Sequence, residues 1–107
     1  MVCLYKNKYS HLSIKNFCKK KKIKFFLLFR KPEVVKKLYK LILKIKIDLI
    51  ISCHFNFILS KDFLKLPKLG CLNLHPSLLP KYRGQSPQHW PILNFDKLYG
   101  LTVHYMS

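Results

Sequence analysis

The side chains best suited to chemistry stand two residues apart in the last third of the chain: Asn73 and His75, followed at once by Pro76. A carboxamide offers N–H donors, and an imidazole donates or takes part in proton transfer. Successive strand residues alternate between faces, so positions 73 and 75 leave on one side. They fall at the predicted carboxyl end of a strand, beside the crevice where open α/β sheets bind ligands, and so could share one substrate. Pro76 restricts His75 to an extended backbone and starts a loop, which holds the imidazole at the rim of the sheet. Taken alone, an Asn-x-His pair is more often a capping Asn beside a structural His.

The other candidates carry less. Cys3, Cys18, Cys53 and Cys71 form no CxxC pair and read as reduced core thiols. His54 and His75 with Cys53 and Cys71 show no recognised zinc spacing, so no metal is expected. His89, His104 and Trp90 read as structural. The chain of 107 residues carries 21 Lys and Arg against 4 Asp and Glu, a net charge of +17 that permits an anionic partner. The excess is mostly Lys and accompanies abundant Ile, Phe, Leu and Asn, so codon bias accounts for it as well as function does. With 50% hydrophobic and 14% aromatic residues the chain is too apolar for disorder. The apolar run 47–59 contains Asp48 and His54 and falls short of the ~20 residues that span a bilayer, so no membrane partner is expected. The first residues lack a secretory pattern, which leaves the cytoplasm as the expected location.

The elements that must position Asn73 and His75 follow from periodicity. Ser10 caps a predicted helix over 10–19, and the lysine run 19–22 reads as a solvated turn before an apolar strand over 23–29. Pro32 opens a second helix whose apolar positions are Val34, Val35, Leu38, Leu41, Ile42 and Ile45, with Lys36, Lys37, Lys40 and Lys44 on the solvated face. Residues 48–53 form a continuous apolar run, expected of a parallel strand covered on both faces. A helical turn is expected over 60–66, ended by Pro67, and a strand over 70–74. Pro76, Pro80, Gly84, Pro87 and Pro91 make 75–91 a shaped loop, with a short helix near 88–93 and an alternating strand over 99–105. Strand, helix, strand predicts a βαβ unit and one small α/β domain.

The longer string is specific. Asn73-Leu74-His75-Pro76-Ser77-Leu78-Leu79-Pro80-Lys81-Tyr82-Arg83-Gly84, then Pro87, then Gly100-Leu101-Thr102-Val103-His104-Tyr105-Met106, closely resembles the formyl transferase family. That family includes methionyl-tRNA, glycinamide ribonucleotide and sugar-amine formyltransferases and the related formyl-tetrahydrofolate hydrolases and dehydrogenases. The resemblance extends more weakly upstream, through 48–51, 54–59 and 66–71, and is best over 48–106. It implies a partial catalytic domain over 1–107, a Rossmann-like open parallel sheet with flanking helices. It also implies transfer of a formyl group from formyl-tetrahydrofolate to a primary amine without a metal. The acceptor implied is methionyl-tRNA or an amino sugar nucleotide. Asn73 and His75 take the catalytic positions, where the Asn73 amide can donate to the oxyanion of the tetrahedral intermediate and His75 can donate as imidazolium or take part in proton transfer. Asn56, Phe57 and Leu59 match the loop that lines the pterin pocket, while Ser77, Arg83 and Gly84 fall in the substrate loop.

Two departures qualify that resemblance. The family's catalytic Asp is expected after the segment ending at His104-Tyr105-Met106-Ser107, and neither Asp48, Asp62 nor Asp96 matches its motif. Residues 1–5 are too short for the strand, loop and helix with which the family opens. The expectation is a piece truncated at both ends and inactive alone. The Arg83-Gly84-x-x-Pro87 pattern resembles the tRNA and sugar enzymes, whereas His75-Pro76-Ser77 is commoner in purine and some sugar members. Alternatives are a formyl-tetrahydrofolate hydrolase, a purine-pathway formyltransferase or, from another class, a basic RNA- or membrane-binding module without catalysis.

Overall fold

A computed structural model of the chain describes residues 3–4, 11–28, 33–53, 55 and 57–107. The described residues form β1 (Cys3–Leu4), α1 (His11–Lys20), β2 (Leu27–Leu28), α2 (Val34–Ile45), β3 (Ile50–Cys53), α3 (Lys61–Leu64), β4 (Cys71–His75), α4 (Trp90–Leu93) and β5 (Thr102–Tyr105). They group into two compact units, Met1–Leu38 and Tyr39–Ser107.

In the first unit β1 and β2 pair in parallel. The strand expected over 23–29 is confined to Leu27–Leu28 among its described residues, because 23–26 lie outside any ladder. Cys18 is fully buried on α1. The lysine run closes that helix: Lys22 adopts φ 55°, the Ile23 N–H donates to the Cys18 carbonyl at 2.8 Å, and the Lys22 N–H donates to Lys19 O at 3.2 Å. Those two bonds satisfy carbonyls at the helix end, where cationic side chains are also favoured by the helix dipole. The lysines are exposed, as a solvated turn requires.

In the second unit β3 and β4 are parallel and β5 is antiparallel to β4, giving the order β3-β4-β5. The parallel sheet expected from the sequence is therefore mixed at this edge. Ile42 of α2 is buried, and the Tyr39 ring meets Phe63 of α3 at 6.2 Å between centroids. Ser60 caps α3 by accepting from the Phe63 N–H at 3.2 Å. That cap matters because a helix this short cannot form without tertiary contacts. Phe63, 1% exposed, and Cys71 anchor the core, and the Cys71 thiol donates to Leu64 O at 3.7 Å.

The two faces of the sheet differ. Cys71, Asn73 and His75 share one face with Ser52, Thr102 and His104, which are their neighbours in the ladder. The opposite face carries Ile51, Cys53, Leu72, Leu74, Val103 and Tyr105. Ile51 is 62% and Tyr105 68% exposed. The expectation that 48–53 is covered on both faces is thus corrected: Ile51 and Cys53 are exposed, and no described element of the second unit covers them. Cys53 is correspondingly an exposed thiol and not a core residue, whereas Cys18 and Cys71 are buried, and all three are free.

Burial pushes the Cys71 thiol above its ordinary value of 9.0, because desolvation opposes the thiolate. The folded chain holds this proton more tightly than the unfolded chain. Its contribution to stability is full below pH 9.0 and is lost as pH rises through the raised folded value. Urea midpoints measured at about pH 8 and about pH 10.5 should fall with pH, and Cys71→Ala should fall less steeply.

Candidate active site

Parallel pairing puts the carboxyl ends of β3 and β4 at one edge of the sheet, and the start of β5 lies there too, since His75 opposes Thr102. The described residues that follow β3, 55 and 57–60, and both ends of loop 76–101 belong to the connections at the edge where Asn73 and His75 stand. This is the crevice position where open α/β sheets bind ligands. Both side chains are half-buried and leave on the same face, as the spacing predicts.

The loop is shaped by its own hydrogen bonds. The Ser77 hydroxyl is buried and donates to Lys81 O at 2.9 Å, with a longer contact to Tyr82 O at 3.4 Å. Thr102 ties the loop to β5: its hydroxyl donates to Ser77 O at 2.7 Å and accepts from the Leu79 N–H at 3.1 Å. Tyr82 adopts φ 54°, a conformation costing a non-glycine residue roughly 1–2 kcal/mol. Its hydroxyl offsets that cost by donating to Asp96 Oδ2 at 2.8 Å and accepting from Asn94 Nδ2 at 2.9 Å. The Lys81–Asp96 contact is 3.9 Å long with Lys81 mostly exposed, so it adds little. Gly84, at φ 102°, supplies a turn that a side chain would strain. At Gly100 an added Cβ would lie 2.8 Å from Leu78 Cδ2, which marks how closely the returning chain passes the loop.

Each candidate side chain has a definite setting. His75 Nε2 donates to the Tyr82 carbonyl at 3.1 Å, which fixes the ring and leaves Nδ1 as its other polar atom. Asn73 Nδ2 lies 3.3 Å from Nε2 of His104, directly opposite on β5. His104 Nδ1 is 2.9 Å from the Tyr105 carbonyl oxygen. Ser52, across from Asn73 on β3, is 8% exposed, and its hydroxyl has no hydrogen-bond partner among the described residues. From the sequence His104 is expected to be structural, and Ser52 stands out in no motif. The signal for both was available only through register, which puts Ser52, Asn73 and His104 in one row. Trp90, expected to pack, is half exposed.

The remaining candidates are more scattered. Phe57 and Leu59 lie in the segment leaving β3, and the Phe55 and Phe57 rings meet at 5.3 Å. Asn56 lies outside the described residues, as does His54. Ser77 points its hydroxyl into the loop, while Arg83 and Gly84 are exposed. A cleft of about 410 Å³ lies beside the loop, lined by Leu78, Tyr82, Pro91, Asp96, Leu98 and Tyr99 among others. Neither Asn73 nor His75 lines it, so the paired side chains do not belong to that cleft. Among the described residues no carboxylate hydrogen-bonds Asn73, His75 or His104. No helix among them is long and apolar enough to cross a membrane.

Comparison with known proteins gives this arrangement its context. A stretch of 64 residues is 55% identical to the bifunctional polymyxin resistance protein ArnA of Wigglesworthia glossinidia brevipalpis, covering 60% of this chain and 10% of that protein. Another of 56 residues is 52% identical to the methionyl-tRNA formyltransferase of Ruminiclostridium cellulolyticum, covering 52% of this chain and 18% of that one. The crystal structure of phosphoribosylglycinamide formyltransferase from Anaplasma phagocytophilum superposes with a TM-score of 0.73 at 27% identity, over 86% of this chain and 44% of that one. The chain thus spans a minor part of the length of each. The family profile described as formyl transferase matches residues 5–107, nearly the whole sequence, and the chain belongs to the formyl transferase family.

Proposed function

We propose that this chain is part of a catalytic domain that moves a formyl group from formyl-tetrahydrofolate to a primary amine, with Asn73 and His75 as the reacting pair. The observation that carries the reading is their projection from one face of β4, at the edge where β3, β4 and β5 open into loops. The amine nitrogen attacks the formyl carbon, and negative charge collects on the formyl oxygen. The Asn73 carboxamide donates to that oxygen, and the gain is largest as the charge develops. The bond from the formyl carbon to the donor nitrogen then breaks, and the proton shed by the amine ends on that nitrogen. His75 lies two residues from Asn73 on the same face and serves through Nδ1, as a donor in the imidazolium form or as a carrier of the transferred proton.

Phe57 and Leu59, with Asn56 beside them in sequence, would hold the pterin of the donor, because the β3 loop opens at the same edge. Ser77 shapes the substrate loop from within, and Arg83 with Gly84 is presented to the acceptor. Methionyl-tRNA is the first acceptor to test, given 52% identity over 56 residues to an enzyme named for it. An amino sugar nucleotide is the second. With no carboxylate beside the pair among the described residues, residues 1–107 alone should be inactive.

The test grafts residues 48–107 into the Ruminiclostridium cellulolyticum methionyl-tRNA formyltransferase in place of the matching stretch. Donor-dependent formylation of methionyl-tRNA is the expected result. A folded graft that transfers no formyl group to methionyl-tRNA or to an amino sugar nucleotide would overturn the reading, and transfer by residues 1–107 alone would overturn the need for a further carboxylate.

A further inference from the structure

We infer that His104 is a positioning residue for Asn73, holding the carboxamide with its nitrogen end available for oxyanion donation; this rests on the catalytic reading of Asn73 above. Two contacts define the ring. A carbonyl oxygen can only accept, so His104 Nδ1, 2.9 Å from Tyr105 O, must carry the hydrogen. In the neutral ring Nε2 is then a lone pair, and the group facing it at 3.3 Å must be a donor, as the Asn73 Nδ2 assignment has it.

The consequence falls on the amide. An Asn side chain can turn over, exchanging its oxygen for its nitrogen at little steric cost, and only a hydrogen-bond partner decides between the two. Here the partner is an acceptor, so nitrogen is held toward β5. One Nδ2 hydrogen is committed to His104, and the other remains for a substrate oxygen. Without an acceptor at position 104 the amide would spend part of its time turned over, presenting an oxygen to an oxyanion. Ser52 does not supply this hold, because its hydroxyl, across from Asn73 on the other side, makes no hydrogen bond among the described residues. In this tautomer Nε2 of His104 accepts from Asn73 and has no hydrogen to give a substrate.

The test has a spectroscopic and a kinetic arm. In the full 107-residue chain, the 15N shifts of the His104 ring should show protonated Nδ1 and bare Nε2, and one Asn73 side-chain N–H should exchange more slowly than the other. Protonated Nε2 in the neutral ring would overturn the proposal. In the grafted enzyme, His104→Phe should lower turnover roughly tenfold, the scale of one net hydrogen bond, with the Michaelis constant for the donor nearly unchanged. His104→Gln, which puts an amide oxygen near the place of Nε2, should recover most of the loss. In an Asn73→Ala background His104→Phe should cost nothing more, since it acts through the missing amide. An equal loss with and without Asn73, or a Gln variant as poor as Phe, would overturn the proposal. Full activity of Asn73→Ala itself would instead defeat the catalytic reading and leave the ring-nitrogen result standing.

Discussion

Replacing Asn73 by Ala in the grafted enzyme should lower turnover by roughly 10²–10³-fold while binding of the folate donor changes little. The magnitude follows from the role. A preorganised N–H facing a developing oxyanion stabilises the transition state more than the ground state, so its loss appears in turnover and not in donor affinity. The structure supplies the preorganisation: Asn73 is on the central strand, flanked by β3 and β5, with its Nδ2 held by His104 at 3.3 Å. Initial rates at saturating donor, beside a binding titration of the folate, separate the two quantities. A change confined to donor affinity would assign Asn73 to the binding pocket. Asn73→Asp should be at least as damaging, because it sets a carboxylate where negative charge must form.

The second large effect is on stability. Phe63→Ala should destabilise the second unit by about 3–5 kcal/mol, the cost of emptying a buried aromatic site. Phe63 is 1% exposed and sits on the four-residue helix α3, whose cap is the Ser60 side chain. Its ring meets Tyr39 of α2, and the carbonyl of the next residue accepts from the thiol of Cys71, the first residue of β4. Helix α3 therefore meets α2 through the Phe63 ring and the strand that carries Asn73 and His75 through the Leu64 carbonyl. Small domains have total stabilities of about 5–15 kcal/mol, so this loss approaches unfolding. Urea denaturation followed by far-UV circular dichroism measures it, with Phe63→Leu expected to keep most of the stability. A Phe63→Ala midpoint equal to the parent would show that the core lies elsewhere.

How far the molecule could be read from its residues varies along the chain for physical reasons. Helix α2 was legible because Leu38 and Ile42 repeat at helical spacing opposite a lysine face, and both are buried. The face shared by Asn73 and His75 was legible because a strand has period two and the next residue is a proline. Strand direction was not: Thr102–Tyr105 alternates in either direction, and only the return of loop 76–101 to the His75 edge makes it antiparallel. His104 reads as structural for the same reason, since a lone His in an alternating strand shows its contact with Asn73 only once the cross-strand partner is known. Ser52 was hidden inside an apolar run, and its hydroxyl, without a partner among the described residues, becomes notable only when register aligns it with Asn73. The bare face with Ile51, Val103 and Tyr105 was unforeseen because an apolar run reports a preference for burial and not what provides it. Tyr82 holding His75 through its main-chain carbonyl could not be read from side-chain types at all.

The most direct measurement is turnover of formyl-tetrahydrofolate by the grafted enzyme with Asn73 and His75 both changed to Ala, against the unaltered graft under saturating methionyl-tRNA. The expected result is a folded protein that still binds the folate but forms product at least ~10²-fold more slowly, with a loss smaller than the product of the two single effects because the groups act as a unit. Product formation at the unaltered rate would contradict the assignment of this strand tip as the place where the formyl group changes hands.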